Sequence, residues 1–392
     1  MDTFIYILSQ EAQMTVYLDC NATTPVEPSV IDTVKRFMEK DYGNAASPIH
    51  DYGTYARTVV DFARRQVASV VDAKPDEVIF TSGATESNNL ALQGIAKFGL
   101  KSGKKHIITT AIEHKSILDT VNFLKDAGFK VDIIPSDKNG RFRPEYISKL
   151  LSKDTLMVSV MHVNNETGVL QPIDEIAEIL KNNDTFLHVD AAQGFGKELK
   201  SLRNKRIDMI SASGHKVYAP KGIGALIMRK KNGHFPPISP LLFGGGQEQG
   251  LRAGTLPVQL IAGFGEAAKI AVRDNESRKD KCLKFKAKLM DALKGTGAGI
   301  NGEEIYTLPH TVNISVPNMK SDIAIDALKD VIAISSTSAC TSHTKTPSHV
   351  LTAMGLPEER VETSLRFSWC HMTPEPDWEK INEILKKLRG RS

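Results

Sequence analysis

Short runs of β-branched and apolar residues alternate along the chain with longer stretches in which apolar residues recur at helical spacing. "DEVIF" (76–80) leads into a helical stretch near 85–98, and "HIITT" (106–110) leads into "SILDTVNFLKDAG". "KVDII" leads into "RPEYISKLLS", and "LMVSVMHV" (156–163) into "IDEIAEILKNN". "FLHVD" (186–190), "IDMISAS" (207–213) and "GALIMRK" (224–230) follow. Repeated strand–helix units of this length predict an α/β fold, a mainly parallel sheet with helices on both faces. Before them, "TYARTVVDFARRQVASVV" spaces Tyr55, Val59, Phe62, Ala63, Val67 and Val70 as one apolar helical stripe. After them, residues 261–293 read as one long, increasingly charged helix. The pattern then changes to "TVNISV", "DIAIDALKD", "IAIS", "SLRFSW" and a last helix "PDWEKINEILKKL", which predicts a smaller α+β domain. The expected division is a large domain over residues 25–262 and a small one built from residues 1–24 and 263–392.

Charge and cysteine usage narrow the function classes. A formal charge of +4 on 392 residues gives no reason to expect a direct nucleic-acid or membrane surface. No apolar run approaches the ~20 residues of a membrane span. Cys20, Cys282, Cys340 and Cys370 are scattered, with no CxxC pair. That speaks against a disulfide framework and against a metal site, and it suits a reducing cytoplasm. "MDTFIYILSQEAQM" lacks the basic start and long apolar core of a signal peptide, and Met14 makes the first 13 residues read as an extension or an upstream start.

In an open α/β sheet, ligands bind outside the carboxyl ends of the strands. The residues after each predicted strand are therefore the candidates. They are "TSGATESNN" (81–89), Glu113-His114, Asn164-Asn165-Glu166, Asp190 with Gln193, and His215-Lys216. Taken singly, each has a bland reading: a helix cap, a structural histidine, a turn aspartate, a solvated lysine. Together, on one edge of one sheet, they match what pyridoxal phosphate requires. Lys216 supplies a Schiff-base amine, Asp190 an acidic partner for the pyridine nitrogen, and Ser82 to Thr85 a phosphate cradle at a helix start.

At this point the sequence resembles the cysteine desulfurases among the fold-type I pyridoxal-phosphate enzymes, a branch of the class V aminotransferases that serves iron–sulfur assembly and thiolation. The resemblance runs from Val16 to the C-terminal helix. It is carried by "YLDCNATTP", "VIFTSGATESNNLAL", "EHKS", "MHVNNETGVLQPI", "HVDAAQGFGK", "SASGHKVYAPKGIGAL", "GGGQEQGLRAGTLP", "SSTSACTS", "PSHVLTAMG" and "LRFS", in that order. It implies Lys216 as the Schiff-base lysine, His114 as a ring-stacking acid/base, Asp190 on the pyridine nitrogen and Gln193 on the phenolic oxygen. Ala84, Thr85, Ser213 and His215 are implied around the phosphate. Asn165 and Arg366 are implied on the substrate carboxylate, for which an arginine fork is well suited. Thr255 is implied to reach the partner subunit's phosphate, and hence a homodimer.

What separates a desulfurase from an aminotransferase is "SSTSACTSHTKTPSH". Cys340 lies there among small polar residues that favour a loop, where a thiolate could take sulfur from L-cysteine, release L-alanine and hand a persulfide to an acceptor protein. The acceptor class is an iron–sulfur scaffold or a thiolation carrier, and selenocysteine is an alternative substrate. Cys20, Cys282 and Cys370 are read as structural, and His343 as a solvated loop residue. "GNAASPIH" lacks a proline that the family carries there, and no role is placed on it. Two rivals remain at this stage: an aminotransferase or lyase in which Cys340 is incidental, and a non-catalytic scaffold.

Overall fold

The computed structural model describes residues 15–336 and 346–389. Its strands are β1 (Val16–Tyr17), β2 (Val78–Thr81), β3 (His106–Thr110), β4 (Lys130–Ile134), β5 (Thr155–Met161), β6 (Phe186–Asp190), β7 (Met209–Ser213) and β8 (Gly224–Met228), followed by β9 (Gly299–Ile300), β10 (Thr311–Ser315), β11 (Ile332–Ala333), β12 (Ser335–Ser336) and β13 (Ser364–Ser368). A seven-stranded sheet runs in the order β2-β8-β7-β6-β5-β3-β4. Its strands all point one way except β8, which is antiparallel to both neighbours. The reason is local. Residues 214–223 turn back through Tyr218 (φ 68°) and Gly222 (φ 88°) without a crossover helix, and only an antiparallel neighbour can be reached that way.

The period-2 pattern of the strands sorts their side chains between two layers. Val78 and Phe80 of β2, Ile210 and Ala212 of β7, and Ala225 and Ile227 of β8 join one core. Ile79, Met209, Leu226 and Met228 join the opposite one, against Leu90, Leu92 and Ile95 of the helix Ala84–Ser102.

The helix Asp51–Val70 packs on the first layer by only part of the expected stripe, Ala63, Val67 and Val70. It buries Ala56, Val60, Ala63 and Val67, and leaves Tyr55 and Phe62 exposed. Close approach to the helix Val258–Arg273 explains this: a Cβ at Gly265 would lie 2.6 Å from the Ala63 Cα, so only small residues fit the seam.

The expected long helix is two, Val258–Arg273 and Asn275–Ala292. Asp274 (φ −104°, ψ 12°) breaks it. Its carboxylate takes the Arg273 guanidinium at 2.6 and 2.7 Å, while its carbonyl accepts from the Arg278 N–H. Buried residues of the first of these helices, through Ala271, belong to the larger core. A second sheet, β12-β13-β10-β9, is antiparallel. It builds a separate core from Phe285, Leu289, Ile314, Phe367, Trp369 and Ile381, which Leu18 joins from the other end of the chain. We therefore propose that the division between domains lies near Asp274 rather than at 262/263.

Candidate active site

The carboxyl ends of the parallel strands meet along one edge. Asp190 ends β6 and is in register with Met161, the end of β5, and with Ser211 of β7. Gly224 opens β8 opposite both Thr81, the end of β2, and Ser213, the end of β7. Along that edge lies a cavity of about 520 Å³. Ala84, Thr85, His114, Asn165, Asp190, Gln193, Ser213, His215, Lys216 and Arg366 all line it. Thr255 does not. It is exposed and lines a separate hollow with Met38 and Tyr42. Cys340 and His343 lie outside the described residues.

Lys216 sits in a short 3-10 turn after β7. Its amine donates to the Asn21 carbonyl and, at 2.7 Å, to the Ala22 carbonyl. Burial draws its pKa down to about 7, the charges of Lys197 and Arg366 add to the effect, and Asp19 and Asp190 oppose it. An amine so placed is substantially unprotonated at neutral pH, the form that bonds to a carbonyl carbon.

The Asp190 carboxylate is fixed at both oxygens. Oδ2 accepts from Asn88 Nδ2 at 2.7 Å and Oδ1 from the Ala192 N–H at 2.9 Å. The same Asn88 amide donates to the Ser116 hydroxyl at 2.8 Å, and that hydroxyl pairs with His114 Nδ1 at 2.8 Å. His114 caps the helix Lys115–Asp126, so its ring is held at the helix start. Surrounding protein lowers its pKa; Asp190 opposes this and Lys216 reinforces it. The ring stays reachable from the cavity it lines.

The helix Ala84–Ser102 begins at Gly83 with no side-chain cap, which leaves first-turn N–H groups and the positive end of the dipole for an anion. The approach of β8 is tight here: a Cβ at Gly224 would lie 2.6 Å from the Gly83 Cα and 2.5 Å from the Ala212 carbonyl oxygen. His215 pairs through Nδ1 with the Thr23 hydroxyl at 3.1 Å, and burial followed by the charges of Lys216 and Lys221 brings its pKa to about 4.

Arg366 of β13 donates to the Asn165 carbonyl at 3.1 Å and to Asp19 Oδ1 at 2.6 Å, while its buried Nε has no partner. Gln193 donates to the Asn21 carbonyl at 2.9 Å and leaves a buried, unpartnered Oε1. A buried polar atom without a partner is costly unless a ligand supplies one. These orphaned atoms, the uncapped helix start, the fixed carboxylate and the deprotonatable amine together fit pyridoxal phosphate and an amino-acid carboxylate. The described residues contain no cluster of side chains suited to a metal ion.

Sequence reasoning quoted Asn88 within "TSGATESNN" and Asp19 and Asn21 within "YLDCNATTP" but gave them no role; Asn88 and Asp19 position Asp190 and Arg366, and the Asn21 carbonyl gathers Lys216 and Gln193. The signal for Asn88 is an asparagine early in a helix, a poor helix residue whose amide has work elsewhere.

Comparison with known proteins places the chain. The aminotransferase class-V family model matches residues 16–381. A curated cysteine desulfurase, IscS from Vibrio cholerae (strain M66-2), is 42% identical, with the alignment covering 97% of this chain and 95% of that protein. The crystal structure of DndA from Streptomyces lividans superposes with a TM-score of 0.80 at 46% identity, over 90% of this chain and 99% of that one. The structure of SspA in complex with cysteine superposes with a TM-score of 0.80 at 34% identity, over 92% of this chain and all of that one. A site that offers an amine, a carboxylate, an anion cradle and an arginine on the shared sheet edge thus stands in a chain that belongs to the class V aminotransferase family, among its cysteine desulfurases.

Proposed function

We propose that this protein takes L-cysteine as substrate, releases L-alanine and passes the sulfur through Cys340 to an acceptor protein. The observation that carries the reading is the convergence of Lys216, Asp190, His114 and Arg366 on one cavity. Members of this family work with pyridoxal phosphate. When bound, that group supplies an electron sink that lets the substrate Cα–H bond break and lets sulfur leave Cβ.

This chain's residues do the rest. The first turn at Ala84–Thr85, Ser213 and His215 would hold the phosphate. Asp190, pinned by Asn88, would hold the proton on the pyridine nitrogen. The free end of the Gln193 amide would pair with the phenolic oxygen. Arg366, with Asn165 beside it, would hold the substrate carboxylate and so aim the Cα–H bond. Lys216 has a proton affinity suited to accepting the Cα proton near pH 7 and returning it, and His114 would serve as a second proton carrier. Cys340, as thiolate, would attack the substrate sulfur.

Two copies would complete the site. Thr255 lies on a loop tied down by Glu248, which takes Arg64 at 2.6 Å, and by Arg252, which takes Glu86 at 2.9 Å. Beside it Met38 and Tyr42 are exposed, and so is Tyr52, which stacks on Tyr42, an apolar patch of the kind that a second copy covers. The acceptor is of the iron–sulfur-scaffold or thiolation-carrier class, and the compartment is the cytoplasm. None of the described helices is long and apolar enough to cross a membrane.

The test is Cys340→Ser. That variant should still bind the cofactor and still change its absorbance on adding L-cysteine. Alanine release should fall about a hundredfold or more, the scale of losing an essential catalytic group, and no persulfide should form. Turnover close to that of the parent would return the aminotransferase or lyase rival to first place.

A further inference from the structure

Cys20, Cys282 and Cys370 have no part in that chemistry, and two of them are in contact. Cys20 and Cys370 share a small buried cluster with Tyr218, against which Tyr17 and Met372 pack, and they are 0% and 3% exposed. Backbone pairing from opposite ends of the chain brings them there. Asp19 bridges Ser368 in parallel, the Cys20 N–H donates to the Ser368 carbonyl at 3.0 Å, and the Ser368 N–H to the Leu18 carbonyl at 2.8 Å. Both are free thiols.

The groups that face Cys370 favour a thiolate. The Cys20 thiol hydrogen-bonds it, the Thr373 hydroxyl donates to its Sγ at 3.5 Å, and the Met372 N–H also donates. The Lys197 amine, buried and without a hydrogen-bond partner, lies within reach of the charge of all three thiols. Cys282 and Tyr218 complete the surroundings, and Asp19, the chain neighbour of Cys20, is held by the Arg366 guanidinium at 2.6 Å. The Cys20 hydrogen bond, with Thr373 and Met372, pulls Cys370 below the usual thiol range against the cost of burial, while Cys20 is pushed up. One sulfur is thus poised as nucleophile and the other keeps its proton.

We propose that Cys20 and Cys370 form a redox-active dithiol that a hydroperoxide converts to a disulfide, stapling the N-terminal arm to the segment that follows Arg366. The Cys370 thiolate attacks one peroxide oxygen and the O–O bond breaks. The alkoxide, or the hydroxide from hydrogen peroxide, takes up the proton that Cys370 gave up on ionising and leaves as alcohol or water, and Cys370 becomes a sulfenic acid. Cys20 then attacks that sulfur, the S–O bond breaks, and the Cys20 proton leaves with the hydroxide as water. Two thiols give up two electrons and one O–O bond takes them.

The staple would join two walls of the cavity. Asn21, next to Cys20, receives Lys216 and Gln193, and Arg366, on the Cys370 side, pairs with Asp19. Asn21 and Ala22 line the cavity next to Cys20 in the chain, and Cys370, at 3% exposed, is the sulfur a small peroxide would meet first.

The experiment uses full-length Cys340→Ser protein, so that the Cys340 thiol is silent. It is treated with hydrogen peroxide, denatured, alkylated and mapped without reduction. The expected result is loss of the two thiol hydrogens, a Cys20–Cys370 linked peptide, and reversal by dithiothreitol. Adding Cys20→Ser should leave Cys370 carrying added oxygen, and adding Cys370→Ser should leave Cys20 fully alkylated. Complete alkylation of both thiols after peroxide, or a linked peptide containing Cys282, overturns the proposal. Should either double variant fail to fold, the map of the Cys340→Ser protein alone decides. The readout is mass, so it stands or falls independently of cysteine desulfuration.

Discussion

The amine of Lys216 rests between two backbone carbonyls, with no carboxylate in ion-pair contact among the described residues, and this sets how the site responds to pH. With its pKa drawn down to about 7, the free-amine fraction rises with pH up to that value and then saturates. The apo chain should therefore capture pyridoxal phosphate at a rate that falls about tenfold per unit below pH 7 and is nearly flat between pH 8 and 9. Stopped-flow absorbance checks it. A rate that keeps climbing through pH 9 would mean an ordinary lysine. The partner of Asp190 gives a second residue-scale expectation. Asn88→Ala removes the buried 2.7 Å hydrogen bond that fixes the carboxylate. Cofactor affinity should fall about ten- to a hundredfold, the worth of one hydrogen bond to a charged group. Asn88→Asp should be worse, because it sets a second carboxylate against the first in a buried place. Equilibrium dialysis of both variants measures this, and unchanged affinity in Asn88→Ala would show that the Ala192 N–H alone holds Asp190.

At the scale of elements, the site depends on how closely β8 passes the start of the helix Ala84–Ser102. Gly224→Ala would press a methyl group against both Gly83 and the Ala212 carbonyl. The backbone must yield, at about 1–3 kcal/mol. The expected outcome is a lower Tm for the apo chain together with weaker cofactor retention, seen by thermal scanning and by the absorbance left after gel filtration. A variant as stable and as yellow as the parent would show that the loop has slack. This edge of the sheet was legible in the sequence, because β-branched runs ended in Ser, Asp, Asn and His where an α/β sheet binds ligands. The direction of β8 was not, since it follows from turn geometry at Tyr218 and Gly222. Nor were the partners that steady the site. Asn88 lies 102 residues from Asp190, and Asp19 lies 347 from Arg366, separations at which local pattern carries no information. The helix Asp51–Val70 misled for a related reason. Its aromatic residues look like a core stripe, yet the seam with Gly265 admits only small side chains.

For the whole molecule, the decisive question is whether one chain holds a complete site. Thr255 sits outside the cavity of its own chain, on a braced loop beside exposed aromatic residues. A composite site makes a prediction that a self-contained one does not. Lys216→Ala removes the amine. Thr255→Asp sets a negative charge where a phosphate from the other subunit would lie. Each homodimer should be nearly inactive. In a mixed dimer that exchanges subunits, one site carries both defects, while the other combines the intact Lys216 of one subunit with the intact Thr255 of its partner. Activity should then recover towards one working site of the two in each mixed dimer, as expected for two equivalent interfaces. If Thr255 acted within its own chain, every site would keep a defect and mixing would restore nothing. Differently tagged subunits, isolated as the mixed dimer and assayed for alanine release, distinguish the two outcomes. Recovery fixes the working unit as a pair of chains, and continued inactivity in a verified mixed dimer refutes the composite site.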